Sequence, residues 1–314
     1  MKEKIVTALL LLALCLTTII ITTQAARIKF VNAKESSMAS GQQAQAFQTT
    51  CALRPEIDST TPSFINAIDP SQFTLERFRR TQSSVNALKR ELTNPSIFSR
   101  TSTSYTPRES IALANPTNYG DRFVYDLYGK PAYYSPIVVL HETASSARSA
   151  LNTFRTPHVQ ESKQVSYHTL IKLNGEIVYI VPPDKRAFGA GNSVFEGDNG
   201  KETVKTNPDY PPSVNNFAYH VSLETPTDGY NNRGTYPRTH SGYTSAQYQS
   251  LAWIVAKTGV PSSRITTHRA VDRSGQRVDP KSFNKATFLR LLEAQPKTNE
   301  IVIGCQPPTS GLTR

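Results

Sequence analysis

The chain has 314 residues, of which 38% are hydrophobic, and its 35 Lys and Arg against 24 Asp and Glu give a net charge of +11. This length fits one large domain with extensions or two small domains, and the hydrophobic fraction permits a real core. The basic balance favours anionic partners such as cell-wall polymers, membrane headgroups or nucleic acid. Because the chain has no dense Lys/Arg run and no base-stacking motif, its charge alone does not indicate nucleic-acid binding, and we expect none.

The N-terminal segment has the pattern of an export signal. Lys2 and Lys4 precede an apolar run from Ile5 to Ile21, and small residues follow at Ala25 and Ala26. This predicts a signal peptide over residues 1–26 and a location in the periplasm or outside the cell, including the cell wall. An uncleaved membrane anchor is the alternative, since the run is about long enough to span a bilayer.

Two cysteines, Cys51 and Cys305, remain after that segment. In an oxidising compartment a lone pair of cysteines usually bonds, so we expect a disulfide between the two ends of the mature chain, with two free thiols as the alternative. Neither cysteine has the spacing of a metal site.

Residues 27–130 are predicted to form an N-terminal extension that is partly helical and linker-like. The first part is rich in Ser, Thr, Ala and Gln, and only residues 71–92 have helical periodicity. Residues 94–134 are typical of a loop, with turn signals at Asn115-Pro116 and Tyr119-Gly120. We place the main domain at residues 131–295 and a C-terminal tail at 296–314.

Within the main domain, strand and helix patterns alternate. Strands are predicted at residues 137–140, 165–173, 176–181, 219–224 and 265–267, with Asn174-Gly175 joining the second and third as a hairpin. Helices are predicted at residues 145–154, from Thr244 onward, where a capping box begins, and at 284–293. This alternation predicts an α/β fold with a central mixed β-sheet flanked by helices.

Three polar residues are candidate metal ligands, two at the ends of predicted strands and one in a loop. His141 follows the first strand, His268 follows the short strand at 265–267, and Asp279 lies eleven residues later in a loop. Two histidines and one carboxylate form a common catalytic zinc set with a free fourth position. Spacing alone leaves open that each is an ordinary polar loop residue. His141-Glu142 does not begin an HExxH zinc helix, because Ser145 stands at the position of the second histidine.

The segment from about Ile137 to Leu292 resembles the zinc-dependent N-acetylmuramoyl-L-alanine amidase family, which is related to phage T7-type lysozyme and the peptidoglycan recognition proteins. The matching pieces occur in the family's order and cover about half of the chain. They are Val138-Val139-Leu140-His141, Val165-Ser166-Tyr167-His168, Asn174-Gly175-Glu176, Val181-Pro182-Pro183-Asp184-Lys185-Arg186-Ala187-Phe188, Ala190-Gly191, Val221-Ser222-Leu223-Glu224, Tyr243-Thr244-Ser245-Ala246-Gln247-Tyr248, Thr267-His268 and Asp279-Pro280.

The resemblance implies a fold like that of the amidases and the peptidoglycan recognition proteins. It also implies a Zn²⁺ cofactor held by His141, His268 and Asp279. Glu224 matches the catalytic carboxylate of the amidases, and Tyr167 matches a tyrosine of the phage and recognition-protein branch. The implied activity is hydrolysis of the amide bond between N-acetylmuramic acid and L-alanine, with peptidoglycan or a muropeptide as the substrate.

Two residues depart from the family pattern. Arg277 stands where the family has a catalytic lysine; it keeps the positive charge but has no accessible neutral form. Gly189 stands where the amidases usually have a histidine before Ala-Gly, which leaves the glycan or peptide preference open. We expect His168 to be structural, and we assign no role to His158, His220 or His240.

Two other functions compete with this one. A peptidoglycan-binding module without activity would typically lack a zinc ligand, whereas all three ligand types are present here. A serine hydrolase would need a Gly-x-Ser-x-Gly elbow, which the sequence lacks.

Overall fold

The computed structural model describes residues 51–55, 74–80, 105–231 and 237–304. The predicted signal peptide lies outside these residues, as do most of residues 27–104 and the end of the C-terminal tail. Cys305 also lies outside them, so the Cys51–Cys305 disulfide stays a prediction. No helix among the described residues is both long and apolar enough to cross a membrane.

A six-stranded mixed sheet forms the centre of the protein. Its strands are β1 (Glu109–Ile111), β3 (Ile137–Glu142), β4 (Thr169–Ile171), β5 (Ile177–Tyr179), β9 (Ala218–Leu223) and β10 (Ile265–Thr267). They lie in the order β1-β5-β4-β9-β3-β10, and within this sheet β4 and β5 pair antiparallel whereas the other neighbours are parallel. Two small antiparallel pairs join β2 (Tyr119–Asp121) to β6 (Lys185–Ala187) and β7 (Phe195–Gly197) to β8 (Gly200–Glu202).

Within the described ranges, four α-helices accompany the sheet: α1 (Ala147–Arg155), α2 (Ser245–Ala256), α3 (His268–Val271) and α4 (Lys285–Glu293). Helices α2 and α4 share a core cluster with Val138 and Leu140, whereas Ile137 and Val139 belong to a different cluster. Because successive strand residues face opposite sides, β3 is covered on both faces. This explains why β3 and β9 are buried over their full lengths and confirms the expected mixed sheet flanked by helices.

Local signals in the sequence agree closely with the structure. The Thr244 hydroxyl accepts a hydrogen bond from the Gln247 backbone N–H, and the Gln247 side chain accepts one from the Thr244 N–H, which completes the predicted capping box. Gly175 has φ +83° in the turn between β4 and β5, a conformation that glycine adopts without strain. The predicted strand at residues 265–267 is β10.

The region before residue 131 is more ordered than its sequence indicated. Strand β1 pairs with β5 in the central sheet, although we expected residues 94–134 to form a loop. Phe78 is 1% exposed, packs in the same core and stacks on Tyr179 at 5.1 Å between ring centroids. The described part of the expected helix at 71–92 contains a 3₁₀ turn at Leu75–Arg77. The expected boundary at residue 131 therefore does not separate two cores.

Candidate active site

The register of the sheet brings the first two predicted ligands together. Strands β3 and β10 are parallel neighbours, with Leu140 opposite Thr267. His141 and His268 each come one residue later, so both reach the same edge of the sheet. This is the edge formed by the carboxyl ends of the parallel strands, where ligands of open α/β sheets usually bind.

Asp279 completes the cluster from the loop that follows α3. The loop is fixed where the Arg269 backbone N–H donates to the Asp279 carbonyl at 3.0 Å. One carboxylate oxygen of Asp279 lies 3.1 Å from Nδ1 of His268 and 3.4 Å from Nδ1 of His141. One possible ligand atom from each of the three residues lies within 4.8 Å of the others.

These distances and the donor set fit a zinc ion. Zinc–ligand bonds of about 2.0–2.1 Å in a tetrahedron place the ligand atoms about 3.3 Å apart. Nδ1 of His141 is buried and has no hydrogen-bond partner among the described residues. A buried polar atom of this kind calls for a partner, and a metal ion would supply it. The His141 side chain is 0% exposed, whereas those of His268 and Asp279 are 8% and 10% exposed. Solvent therefore reaches the cluster from the side of His268 and Asp279.

The protonation states also suit a metal. Burial lowers the pKa of His141 to about 4, and the charge of Arg277 acts in the same direction. Burial alone would raise the pKa of Asp279, but the neighbouring His141 and His268 rings outweigh it and hold the pKa below its ordinary value. A neutral imidazole and an ionised carboxylate are the forms that bind metal.

Two of the other predicted site residues lie beside this cluster. The Tyr167 ring stacks on the His141 ring, with 4.4 Å between centroids and 29° between planes. Arg277 is exposed in the loop two residues before Asp279, and its backbone N–H donates to the Asp272 carboxylate. Its side chain is therefore accessible to solvent.

Glu224 follows β9 at the same edge of the sheet, and both of its carboxylate oxygens are hydrogen-bonded. They accept from the backbone N–H of Ala147, at the start of α1, and from that of Leu173, at 2.8 and 2.9 Å. Glu224 thus ties α1 to the β4–β5 hairpin. This anchoring role was not expected from the sequence.

The other histidines include one that the sequence analysis missed. His168 is buried and structural in its contacts, since its ring accepts from the His220 backbone N–H and contacts an Arg122 guanidinium nitrogen. His220, which received no role, places its Nδ1 2.9 Å from Nε2 of His141. A histidine in the middle of a predicted strand was the available signal, because a buried polar group needs a partner.

His240 and Glu142 belong to a second buried group next to the cluster. Glu142 accepts hydrogen bonds from the Tyr243 hydroxyl and the Lys281 backbone N–H, and it lies 3.2 Å from His240. Because Glu142 follows His141 and Lys281 follows the Asp279-Pro280 bond, this group holds two ligand-bearing segments together.

Together, the fold and site define an α/β protein with the donor set of a catalytic metal centre at the carboxyl edge of its sheet. Residues 133–282 match the profile of the family described as N-acetylmuramoyl-L-alanine amidase. The match confirms the resemblance to that family over this segment.

One curated relative is the 1,6-anhydro-N-acetylmuramyl-L-alanine amidase AmpD of Citrobacter freundii, which is 31% identical over 134 residues. The match covers 41% of this chain and spans 58% of the relative's length. Two solved structures are also similar. A selenomethionine derivative of AmpD is 24% identical, with 60% of this chain and 97% of that chain covered and a TM-score of 0.41. AmiD from E. coli, in complex with an anhydro-N-acetylmuramic acid peptide, is 20% identical, with 61% and 68% covered and a TM-score of 0.38.

Proposed function

We propose that this protein is a zinc-dependent amidase that hydrolyses the bond between N-acetylmuramic acid and L-alanine in peptidoglycan or its fragments. One observation carries the proposal: His141, His268 and Asp279 converge at the carboxyl edge of the sheet, inside the segment that matches the amidase family. All three ligand types are present, which favours an enzyme over a module that only binds peptidoglycan.

The three ligands would hold the zinc ion and leave a fourth position open toward solvent. Bound zinc supplies Lewis acidity: it polarises a carbonyl and lowers the pKa of a coordinated water to about 7. The buried side of the site, formed by His141, excludes water from behind the reacting groups. The small exposed fractions of the His268 and Asp279 side chains, 8% and 10%, mark the side from which a substrate would enter.

Glu224 is the proposed proton acceptor for the attacking water and the donor to the leaving amine. Its carboxylate accepts hydrogen bonds from the backbone N–H groups of Ala147 and Leu173. Each carboxylate oxygen keeps a further lone pair that can take a proton. The same two bonds fix the carboxylate's orientation relative to the sheet edge.

Arg277 and Tyr167 are the proposed groups that act on the substrate carbonyl. The exposed guanidinium of Arg277 would stabilise the oxyanion that develops there. It cannot act as a general acid, because arginine does not lose its proton at ordinary pH. Tyr167, which stacks on His141, would orient the carbonyl or the water.

Incubation of the purified protein with peptidoglycan tests this function. We expect zinc-dependent release of new L-alanine amino groups without new reducing sugar ends, and loss of that release in His141→Ala. Binding to peptidoglycan with no amine release by the zinc-loaded protein would instead support the non-catalytic binding module. Release that is unchanged in His141→Ala would contradict the proposed site.

A variant of Glu224 separates its proposed chemical role from its anchoring role. Glu224→Gln keeps the shape, but one amide donor then faces the backbone N–H of Ala147 or Leu173. We expect turnover to fall by about 10²-fold or more, and the free energy of unfolding to fall by about 1–3 kcal/mol. Ser146→Ala is the matched control for a weakened α1 start, because the Ser146 side chain caps the same helix. If Ser146→Ala destabilises the fold equally and loses as much activity, Glu224 acts only as an anchor.

We also propose that the protein is exported and that residues 1–26 are removed. The supporting pattern is the pair of lysines, the apolar run and the Ala25-Ala26 pair in the sequence. N-terminal sequencing of the protein recovered from the periplasm or medium tests this. Full-length protein retained in the membrane fraction would support the uncleaved anchor instead.

A further inference from the structure

His220 lies on β9, the parallel neighbour of β3, and its ring contacts the ring of His141. Both side chains are buried, with no exposed surface. Nδ1 of His220 is 2.9 Å from Nε2 of His141, and the ring centroids are 5.0 Å apart. Among the described residues, this is the only hydrogen bond that the His220 ring makes, since its Nε2 is buried without a partner. Burial of an imidazole with one nitrogen unpaired lowers the stability of the fold. The contact with His141 therefore points to a functional reason for the histidine.

The two nitrogens of His141 face different partners. Nδ1 faces the Asp279 carboxylate at 3.4 Å, whereas Nε2 faces Nδ1 of His220 at 2.9 Å. A neutral imidazole carries one proton, and the nitrogen that binds a metal must be the one without it. An acceptor at His220 Nδ1 keeps the proton of His141 on Nε2. Without that acceptor, the proton of His141 can move to Nδ1, and the Nδ1–H group can then donate to the Asp279 carboxylate 3.4 Å away. A protonated Nδ1 has no lone pair free to bind a metal.

The His220 ring is held in place by its surroundings. Its backbone N–H donates to Nδ1 of His168 at 2.9 Å, and the two rings stack nearly parallel, with 10° between planes. On another side, a Cβ atom at Gly189 would lie 2.6 Å from both Cγ and Nδ1 of His220. Position 189 must therefore be glycine for the ring to stay. The His220 ring thus fills the space beside a position where the family usually carries a histidine.

We propose that His220 is a positioning residue that holds His141 with Nδ1 free for the metal, and that Gly189 is glycine because His220 needs the space. The inference rests on the proposed function, since it takes the cluster to be a metal site. Histidine ligands usually donate their second N–H to a carboxylate, a backbone carbonyl or water. Here another imidazole takes that place.

Two substitutions at His220 test the acceptor. His220→Leu keeps much of the volume and removes the acceptor, whereas His220→Asn places an amide oxygen near the position of Nδ1. We expect His220→Leu to weaken zinc binding by about 10–100-fold, the usual effect of losing an outer-shell partner, and His220→Asn to retain most of the affinity. Competition with a chromophoric chelator measures the zinc Kd, and circular dichroism of the metal-free variants verifies that they fold. Equal Kd values for wild type, Leu and Asn variants would overturn the proposal.

Substitution of Gly189 tests the same contact from the other side. Gly189→Ala is expected to displace the His220 ring and weaken zinc binding. Gly191→Ala is the matched control, because a Cβ at Gly191 meets nothing within 4 Å. In a His220→Ala background, which lacks the ring atoms that a Cβ at position 189 would meet, Gly189→Ala should have little further effect on the zinc Kd. An equal effect of Gly189→Ala in both backgrounds would contradict the proposed pairing of the two positions.

A measurement without metal distinguishes this proposal from the proposed function. Long-range ¹H–¹⁵N correlation spectra of the metal-free protein report which nitrogen of His141 carries the proton. We expect Nε2–H in wild type and Nδ1–H in His220→Leu. If wild type shows Nδ1–H, the positioning role is wrong even where zinc binds. If the spectra agree with expectation but wild type binds no zinc, His220 still sets the tautomer of His141, and the proposed zinc-dependent function is wrong.

Discussion

Glu142 and Lys281 form an ion pair in the interior of the protein, with 3.0 Å between Oε1 and Nζ and side chains that are 0% and 1% exposed. The lysine Nζ also donates to the carbonyls of Gly229 and Pro237 at 3.1 Å. The pair thus connects the end of β3, which carries His141, to the loop that carries Asp279. It forms part of the support of the candidate metal centre.

Removal of one partner should therefore be costly. Lys281→Met leaves the Glu142 carboxylate buried without its cation, and we expect the free energy of unfolding to fall by about 3–5 kcal/mol. Denaturant unfolding of the metal-free protein measures this. Lys285→Met, at an exposed lysine four residues later, is the control and should change stability by less than about 0.5 kcal/mol. Similar small effects for both variants would show that the pair contributes little.

Phe78 tests whether the N-terminal region belongs to the domain. Its ring is buried against Tyr179 of β5, so Phe78→Ala should destabilise the protein by about 3–5 kcal/mol. Thermal or denaturant unfolding measures the change. Leu53→Ala is the control, because Leu53 is 70% exposed and its truncation should have little effect. A wild-type stability for Phe78→Ala would mean that this region does not support the core.

The pH dependence of stability should depend on His168. Burial, together with the charge of Arg122, holds the pKa of His168 well below the ordinary value of about 6.5. A depressed pKa in the folded state contributes stability that is present above pH 6.5 and is lost as the pH falls below it, because the unfolded state then binds the extra proton. The expected loss is at most about 1.4 kcal/mol per pH unit for this single proton.

Denaturant unfolding between pH 7 and pH 5 measures that slope. His168→Gln cannot titrate, so its stability should fall less steeply with decreasing pH than that of wild type. Parallel slopes for wild type and His168→Gln would contradict the assignment.

Arg277 should affect chemistry more than binding. If the guanidinium stabilises the oxyanion, Arg277→Ala should lower kcat by about 10²–10³-fold and change KM much less. Arg277→Lys, which introduces the family's usual residue, should recover much of that loss. Steady-state kinetics on a soluble muropeptide measure both constants. A rise in KM with unchanged kcat would assign Arg277 to substrate binding.

The sequence predicted those parts of the fold that have strong local signals. The apolar run before His141, the Asn174-Gly175 turn and the Thr244 capping box each correspond to an element of the structure. Strand β1 was missed because it has only three residues, all partly exposed, and it becomes a strand by pairing with β5. Phe78 was assigned to a separate extension because its partner, Tyr179, lies about a hundred residues away and no local pattern records the contact.

The candidate site was also predicted only in part: the proposed ligands were found, and the residues that support them were not. The three proposed ligands were found because the motifs that carry them occur in the family's order, and the register of β3 and β10 explains why His141 and His268 meet. The supporting groups were missed, because contacts such as that between His220 and His141 join residues far apart in sequence. The anchoring of Glu224 by two backbone N–H groups also depends on the tertiary fold and has no sequence signature.

The most direct test of the central claim is the turnover of a synthetic N-acetylmuramoyl-L-alanyl peptide as a function of zinc content. The protein is stripped with a chelator, reconstituted with measured amounts of zinc, and assayed for the free L-alanyl peptide by mass spectrometry. We predict that turnover rises in proportion to bound zinc, saturates at one ion per chain, and is absent in His268→Ala. Full turnover by the zinc-free protein, or no turnover by protein that holds one zinc ion per chain, would contradict the account.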